Sequence, residues 1–182
     1  GLSASLARRC AKEGMSVALA ARTDPSALAS ELSGRGYQCD VSDAASVRAL
    51  FDAVQADLGV PDFVVFNPSM RVPGPVAEID PATVRDALMI SCYGGFLVGQ
   101  AAAQAMEPRG SGAIFYTGAT ASVKGYATSA AFAMGKFGLR GLAQSMTREL
   151  APKGIHVAHF IIDGIIARYD GDRGRGPRED DS

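Results

Sequence analysis

Cysteine and histidine are scarce in this sequence, and neither forms a cluster. The three cysteines, Cys10, Cys39 and Cys92, are widely spaced and odd in number. We therefore expect neither disulfides nor a zinc cluster, and a reducing cytoplasm is the default location. The two histidines, His156 and His159, fall in one predicted strand. Residues three apart in a strand point to opposite faces, so we expect no metal site.

Long hydrophobic runs and an excess of charge of either sign are also missing. No apolar run reaches the roughly 18 residues that a membrane-spanning helix needs, and no signal peptide is recognisable. The net charge of −1 gives no indication of a nucleic-acid or anionic-membrane partner. The 182 residues are 47% hydrophobic and 20% charged. This composition predicts one soluble globular domain with a hydrophobic core.

Segments with helical periodicity alternate along the chain with short apolar, β-branched or aromatic runs that are typical of buried strands. We expect strands at 15–21, 37–41, 62–67, 112–117 and 155–162, and helices at 1–14, 25–32, 44–58, 81–106 and 129–150. Such alternation predicts an α/β fold with a parallel sheet and helices on both faces. We assign residues 1–167 to this single domain and residues 168–182, rich in Gly, Arg and Asp, to a flexible tail.

Ligands of such sheets bind outside the carboxyl ends of the strands, where the strand order reverses. Polar residues follow several of the predicted strands, namely Arg22, Asp40, Asn67, Thr120 and Asp163. We therefore expect a functional site along this edge of the sheet.

The most informative stretch runs from residue 112 to residue 150. It combines a predicted strand, a loop rich in small polar residues and a long helix on which Phe132 and Lys136 share one face. This arrangement resembles the active-site segment of the short-chain dehydrogenase/reductase family. The family pattern is Tyr-x-x-x-Lys, and Phe132 stands at the Tyr position. The resemblance covers about residues 1–164 and implies a three-layer, Rossmann-like, doubly wound fold with NAD(P)-dependent hydride transfer between carbonyls and alcohols.

The resemblance implies four polar catalytic positions, of which this sequence keeps one. Lys136 is retained, whereas the Tyr position is Phe132, the Ser position thirteen residues earlier is Ala119, and the Asn position is Ser91. Phenyl and methyl groups have no proton to transfer and cannot hydrogen-bond an oxyanion. The sequence therefore predicts weak or absent carbonyl reductase activity.

Two hydroxyl groups are candidates to replace the missing ones. Tyr126 and Thr120 lie in the loop before the long helix and could supply a proton donor. The alternative is that this segment is a surface loop of small polar residues, as connecting segments usually are.

Gly1, Ser3 and Arg22 are candidate ligands of a dinucleotide. A helix that begins with small residues can receive a phosphate through its free N–H groups, although most such starts are simple caps. Gly1 and Ser3 resemble the end of the family's T-G-x-x-x-G-x-G fingerprint, with Ser3 replacing the last Gly. Arg22 follows a predicted strand. The resemblance implies that an arginine at this position binds the ribose 2′-phosphate, and therefore NADP rather than NAD. A solvated loop arginine is the alternative.

Further along the same edge, Asp40 and Val41 resemble the family's Asp-Val pair beside the adenine, although Asp40 could equally cap the following turn. Asn67 is retained from the family's Asn-Ala-Gly, while Pro68 and Ser69 replace its other two residues and stiffen the backbone. In the family the lysine also holds the cofactor ribose, and that role falls on Lys136.

The resemblance places a further strand in the middle of the sheet, between residues 15–21 and 62–67. The sequence has no segment that matches this first strand of the family, or its last strand and helix, and we expect the sequence to be incomplete rather than the working protein to lack a central strand. The Ala- and Gly-rich helices at 81–106 and 129–150 correspond to a four-helix bundle between subunits, which implies a homodimer or homotetramer. Packing on the sheet alone is the alternative. The residues expected to allow close approach are Gly94, Gly95, Ala101–Ala103, Gly138 and Gly141.

These observations leave three hypotheses. The first is an NADP-dependent oxidoreductase of this family, acting on a small carbonyl or alcohol, with an altered or impaired proton-transfer site. The second is a non-catalytic dinucleotide-binding or oligomeric interaction protein. The third and most remote is a lyase or epimerase step on the same fold.

Overall fold

Helices and parallel strands alternate in the computed structural model, which describes residues 1–164 and residue 166. The elements are α1 (Leu2–Lys12), β1 (Ala18–Ala21), α2 (Ser26–Glu31), β2 (Arg35–Gln38), α3 (Ala44–Leu58), β3 (Phe63–Phe66), α4 (Pro81–Leu88), α5 (Gly94–Met106), β4 (Gly112–Thr117), α6 (Ala130–Leu150) and β5 (Ile155–Phe160). The predicted flexible tail, residues 168–182, lies outside the described residues. None of the helices described is both long enough and apolar enough to cross a membrane.

All strand pairs in this structure are parallel, as predicted. β1 pairs with β2, with Ala18 opposite Arg35. β3, β4 and β5 form a second sheet in that order, in which Ala113 lies opposite both Phe63 and His156. Together with helices between successive strands, this confirms the predicted Rossmann-like α/β fold class.

The two sheets are separate, because no ladder joins β1 to β3 among the described residues. The resemblance places the family's first strand at this position. The prediction of a buried strand over residues 15–21 is wrong in two respects. β1 is only Ala18–Ala21, and its alternate residues Ala18 and Ala20 are exposed. A strand that pairs along one edge only has fewer neighbours to cover it than a central strand has.

The core lies between the three-stranded sheet and the two long helices α5 and α6. Its largest buried side chains include Phe66, Tyr116 and Leu139. Gly99 allows α5 to approach the sheet, because a Cβ atom there would overlap the Tyr116 hydroxyl. That hydroxyl donates to the Gly95 carbonyl at 3.2 Å, so the one polar atom of this ring is satisfied in the core.

The helix predicted over residues 81–106 begins as expected but is not uniform. The Asp80 carboxylate caps α4 by accepting from the backbone N–H groups of Ala82 at 3.1 Å and Thr83 at 3.3 Å. A π-helical turn at Met89–Tyr93 then separates α4 from α5. The sequence analysis predicted one continuous helix here and did not indicate this turn.

Candidate functional site

Lys136 is buried at the carboxyl end of β4. It lies in the second turn of α6, with 3% of its surface exposed. Its Nζ donates to the backbone carbonyl of Thr117, the last residue of β4, at 2.8 Å. Burial lowers the pKa of Lys136 to about 8. The retained lysine therefore lies at the edge of the sheet where the sequence predicts a site.

Phe132 lies one helical turn before Lys136 and faces it, as the spacing predicts. The ammonium nitrogen is 5.8 Å from the centroid of the ring. A second cation, the guanidinium of Arg71, has its central carbon 4.8 Å from the same centroid. Arg71 belongs to the loop between β3 and α4. Sequence reasoning missed it, because an aperiodic loop gives no signal for which of its side chains turns inward.

Ala119 lies just beyond β4, at the position where the family has Ser, and its neighbour Ser122 is fully buried. The Ala119 N–H donates to the Ser122 Oγ at 3.1 Å, and this oxygen lies 3.3 Å from the His159 Nε2. Burial and the charges of Lys136 and Arg140 lower the pKa of His159, which favours the neutral form of the ring. The contact between Ser122 and His159 joins the loop to β5. Because the Ser122 hydroxyl is buried, a substrate does not reach it.

The two candidate substitute hydroxyls differ in their surroundings. The Thr120 Oγ1 donates to the Asp163 Oδ1 at 2.5 Å. Tyr126 is exposed, and the Lys124 Nζ lies 5.1 Å from its ring centroid. A catalytic role for either hydroxyl stays a prediction.

Ser91, at the family's Asn position, lies in the π-helical turn and is 1% exposed. Its Oγ accepts from the backbone N–H of Met70 at 3.0 Å. Gly135 of α6 lies opposite, where an added Cβ would come within 3.0 Å of the Ser91 Cβ. Ser91 therefore ties the loop after β3 to the π-helical turn, which packs closely against the helix that carries Lys136.

The start of α1 meets the end of β3, which brings two predicted cofactor residues together. The Asn67 Nδ2 donates to the Ser3 Oγ at 2.6 Å, across 64 positions of sequence. Gly1 precedes the helix, no side chain caps it, and its first turn has no acidic residue. The free N–H groups of this turn suit a phosphate.

Arg22 and Asp40 follow β1 and β2 and are both exposed. The Asp40 Oδ1 accepts from the backbone N–H of Ser42 at 2.9 Å and from its hydroxyl at 2.6 Å. These hydrogen bonds, with a smaller contribution from Arg22, lower the pKa of Asp40. Asp40 thus caps the turn that follows it, which is the role predicted as the alternative to a position beside the adenine. Val41 packs beneath Gly94, where an added Cβ would lie 2.9 Å from the Val41 carbonyl oxygen.

Two surface cavities lie elsewhere, and neither is lined by Lys136 or Phe132. One of about 240 Å³ lies between α3 and α5, and one of about 280 Å³ lies between α6 and β5. The described residues also contain no group of three His, Cys, Asp or Glu side chains that could hold a metal ion.

The sequence matches known proteins over most of its length. The profile of a family described as "Enoyl-(Acyl carrier protein) reductase" matches residues 1–173. D-threitol dehydrogenase of Mycolicibacterium smegmatis is 31% identical over 85% of this chain and 61% of its own length. The reductase MabA of Mycobacterium avium, a 3-oxoacyl-[acyl-carrier-protein] reductase, is 29% identical over 91% of this chain and 63% of its own.

Solved structures agree with this match. A short-chain dehydrogenase from Rhodopseudomonas palustris has a TM-score of 0.83 and 39% identity, over 88% of this chain and 79% of that one. An F189W actinorhodin polyketide ketoreductase, solved with NADPH, has a TM-score of 0.84 and 29% identity, over 87% of this chain and 64% of that one. The chain spans about three fifths of the length of the curated relatives named above. On these matches, the chain belongs to the short-chain dehydrogenase/reductase family.

Proposed function

We propose that the chain is part of a cytoplasmic, NADP-dependent oxidoreductase that acts on a small carbonyl or alcohol and has an altered proton-transfer site. The observation that carries the proposal is the buried Lys136 ammonium at the end of β4, facing a Phe132 ring that has no hydroxyl. The related dehydrogenases and reductases support the reaction class. The free, scattered cysteines support the location.

The residues at the carboxyl ends of the strands fit a dinucleotide. The uncapped start of α1, tied to β3 through Ser3 and Asn67, suits the phosphates. Lys136 would hold the ribose hydroxyls, and a bound nicotinamide would supply the hydride. The exposed guanidinium of Arg22 suits a ribose 2′-phosphate, which favours NADP over NAD. The related ketoreductase structure contains NADPH.

Proton transfer is the step that this site performs poorly. Phe132 cannot donate a proton, and losing a positioned general acid costs about 10²–10⁴ in rate. Ala119 cannot hydrogen-bond a substrate oxygen, which removes a second contribution that is not simply additive. The proton would therefore come from water, from the Lys136 ammonium or from a loop hydroxyl such as that of Thr120 or Tyr126.

The second candidate function is a non-catalytic dinucleotide-binding or oligomeric interaction protein on the same fold. The observation that favours it is the use of Ser91. Its hydroxyl accepts the Met70 N–H and so holds a loop in place. In this function Lys136 still binds ribose but transfers no proton.

A second copy of the chain is the partner that the outer faces of α5 and α6 suit. Phe96, Met134 and Phe137 are exposed there, and Tyr93, in the adjoining π-helical turn, stacks on Phe96 with ring centroids 6.2 Å apart. Exposed apolar clusters of this kind mark interaction surfaces.

The predicted role of Gly94 and Gly95 in close approach between subunits is wrong. An added Cβ at Gly94 would contact Val41, and one at Gly95 would contact Leu139, so both glycines serve packing within the chain. Gly141 has open space around it and remains available to a neighbouring subunit.

The proposal is tested by measuring NADPH and NADH binding together with turnover on a panel of carbonyls and alcohols. Wild type is compared with Phe132→Tyr and Lys136→Ala, and Phe137→Tyr is the matched control, because it adds a hydroxyl to an exposed ring on the same helix. We expect slow wild-type turnover, loss in Lys136→Ala, a gain of about 10²-fold or more in Phe132→Tyr and no gain in the control.

The outcomes separate the two candidate functions. Wild type that binds NADPH but stays inert while Phe132→Tyr gains activity favours the non-catalytic function. Absence of dinucleotide binding in every variant contradicts the oxidoreductase function and leaves only an oligomeric interaction protein as the second candidate.

A further inference from the structure

The segments that follow β4 and β5 leave the sheet side by side. The Gly118 N–H donates to the Phe160 carbonyl at 2.7 Å, which continues the pairing of the two strands by one residue. An added Cβ at Gly118 would overlap the His159 ring, so glycine is what allows this close approach. The segments that carry Thr120 and Asp163 therefore start from one corner of the sheet, at the carboxyl ends of neighbouring strands, where ligands of parallel sheets bind.

Thr120 is held in place within the candidate site. Its carbonyl accepts from the N–H groups of Val123 at 2.9 Å and Lys124 at 3.0 Å. The short turn that begins at Thr120 packs against α6, the helix that carries Lys136. Thr120 directly follows Ala119, which stands where the family has Ser, and it is half-buried rather than closed off from solvent.

The Thr120 hydroxyl has a defined hydrogen-bond direction. Its Oγ1 donates to the Asp163 Oδ1 at 2.5 Å, as in a charge-assisted bond to a carboxylate. A hydroxyl has one proton to donate and two lone pairs that accept. Because the proton is directed at Asp163, the Thr120 oxygen accepts a hydrogen bond from a ligand rather than donating one. An alcohol carries the hydrogen that this oxygen accepts, whereas a ketone does not.

We propose that Thr120 and Asp163 form a proton relay for the oxidation of an alcohol, in place of the missing tyrosine hydroxyl. The O–H bond of the alcohol breaks and its proton passes to the Thr120 Oγ1, while the original Thr120 proton passes to the Asp163 Oδ1. The hydride leaves the carbon of the same group for an oxidised nicotinamide dinucleotide, and the carbonyl product remains. Asp163 is exposed, so it then releases its proton to water.

This inference rests on the proposed oxidoreductase function and names the base of that same site. Thr120 contacts the substrate, and Asp163 acts through Thr120. The inference also favours one direction of reaction, because the ionised Asp163 is an acceptor of protons and has none to give to a ketone.

The test combines turnover with a measurement on the unliganded chain. Oxidation of linear, cyclic and polyhydroxy alcohols with NADP⁺ is measured for wild type, Thr120→Val, Thr120→Ser and Asp163→Ala. Valine keeps the shape of threonine without the hydroxyl, and serine keeps the hydroxyl. Thr83→Val is the matched control, because the Thr83 Oγ1 donates to the Asp80 carboxylate at 2.8 Å in the cap of α4. Proton NMR of the unliganded chain follows the Thr120 hydroxyl.

We expect Thr120→Val and Asp163→Ala to lower kcat for alcohol oxidation about 10²-fold. Thr120→Ser should keep most of the rate, and Thr83→Val should leave it unchanged. Added formate should restore part of the turnover of Asp163→Ala but not of Thr120→Val, because a small carboxylate replaces only the lost base. The unliganded wild type should show a slowly exchanging Thr120 hydroxyl proton that is absent from Asp163→Ala.

Wild-type rates in Thr120→Val or Asp163→Ala overturn the inference and leave the proposed function standing. A loss in Asp163→Ala that formate does not restore also overturns it, because the carboxylate then has only a structural role. Unfolding temperatures of the unliganded variants show whether such a loss reflects folding. A wild type that binds NADP⁺ but oxidises no alcohol removes the relay and favours the non-catalytic function. Absence of NADP⁺ binding removes the oxidoreductase function, and the relay with it.

Discussion

At the scale of single residues, the decisive feature is a buried ammonium that faces a phenyl ring. Lys136 has 3% of its surface exposed, and its Nζ donates to the Thr117 carbonyl. Taking a positive charge out of water is costly, and a ring face and one carbonyl compensate only in part. The buried lysine therefore lowers the stability of the folded state.

This cost makes a pH-dependent prediction for Lys136→Met. The unfolded lysine keeps its usual pKa of 10.5, while the folded pKa is about 8. The unfolded state thus binds more protons between these values, so wild type gains stability as the pH rises. Relative to Lys136→Met, the free energy of unfolding of wild type should increase by about 2 kcal/mol from pH 7 to pH 10. Urea unfolding of both proteins at each pH measures this difference in the free energy of unfolding. A difference that does not change with pH would contradict a buried, charged Lys136.

At the scale of elements, the π-helical turn at Met89–Tyr93 determines what the loop after β3 can do. The turn directs the Ser91 hydroxyl at the Met70 N–H, beside the close approach of Gly135. Turns of this type occur frequently at functional sites. Here the turn holds the loop that carries Arg71 over the Phe132 ring.

Ser91→Ala should release this loop. The substitution leaves the Met70 N–H without its acceptor and should lower the free energy of unfolding by about 1–2 kcal/mol. Amide exchange at Met70 should also become faster. Ser5→Ala, on the exposed side of α1, is the matched control and should change stability by less than about 0.5 kcal/mol. Unchanged exchange at Met70 in Ser91→Ala would show that the hydroxyl does not hold the loop.

At the scale of the whole molecule, the sheet is divided and the outer helix faces are apolar. β1 and β2 form one sheet and β3, β4 and β5 another. On the other side of the core, Phe96, Met134 and Phe137 lie exposed on α5 and α6. Burying such a cluster against a second copy would recover hydrophobic free energy that a single chain leaves unused.

Phe137→Glu should therefore change the mass of the particle in solution. We expect wild type to be a dimer or larger at micromolar concentration, and Phe137→Glu to shift toward monomer, because a charge cannot be buried unpaired in an apolar interface. Light scattering after size-exclusion chromatography measures the mass. Val76→Glu introduces the same charge at a residue that is 79% exposed in the loop before α4 and should leave the mass unchanged. A monomeric wild type would refute the interface.

The sequence by itself determined the features that depend on local pattern. The predicted strand at residues 112–117 is β4, because a central parallel strand is covered on both faces and reads as a continuous apolar run. The Asp80 cap was predictable as well. Phe132 and Lys136 face each other because they lie one helical turn apart. The fold class was predicted from the alternation of helices and strands. The absence of the tyrosine was predicted from a motif within one helix.

Tertiary structure alone decided the features that join distant parts of the chain. The stacking of Arg71 on Phe132 and the contact of Ser91 with Met70 depend on which way a loop turns. The exposure of β1 depends on what pairs with its edges. Propensity and periodicity act over a few residues, whereas these contacts are selected by packing and hydrogen-bond satisfaction across the whole molecule.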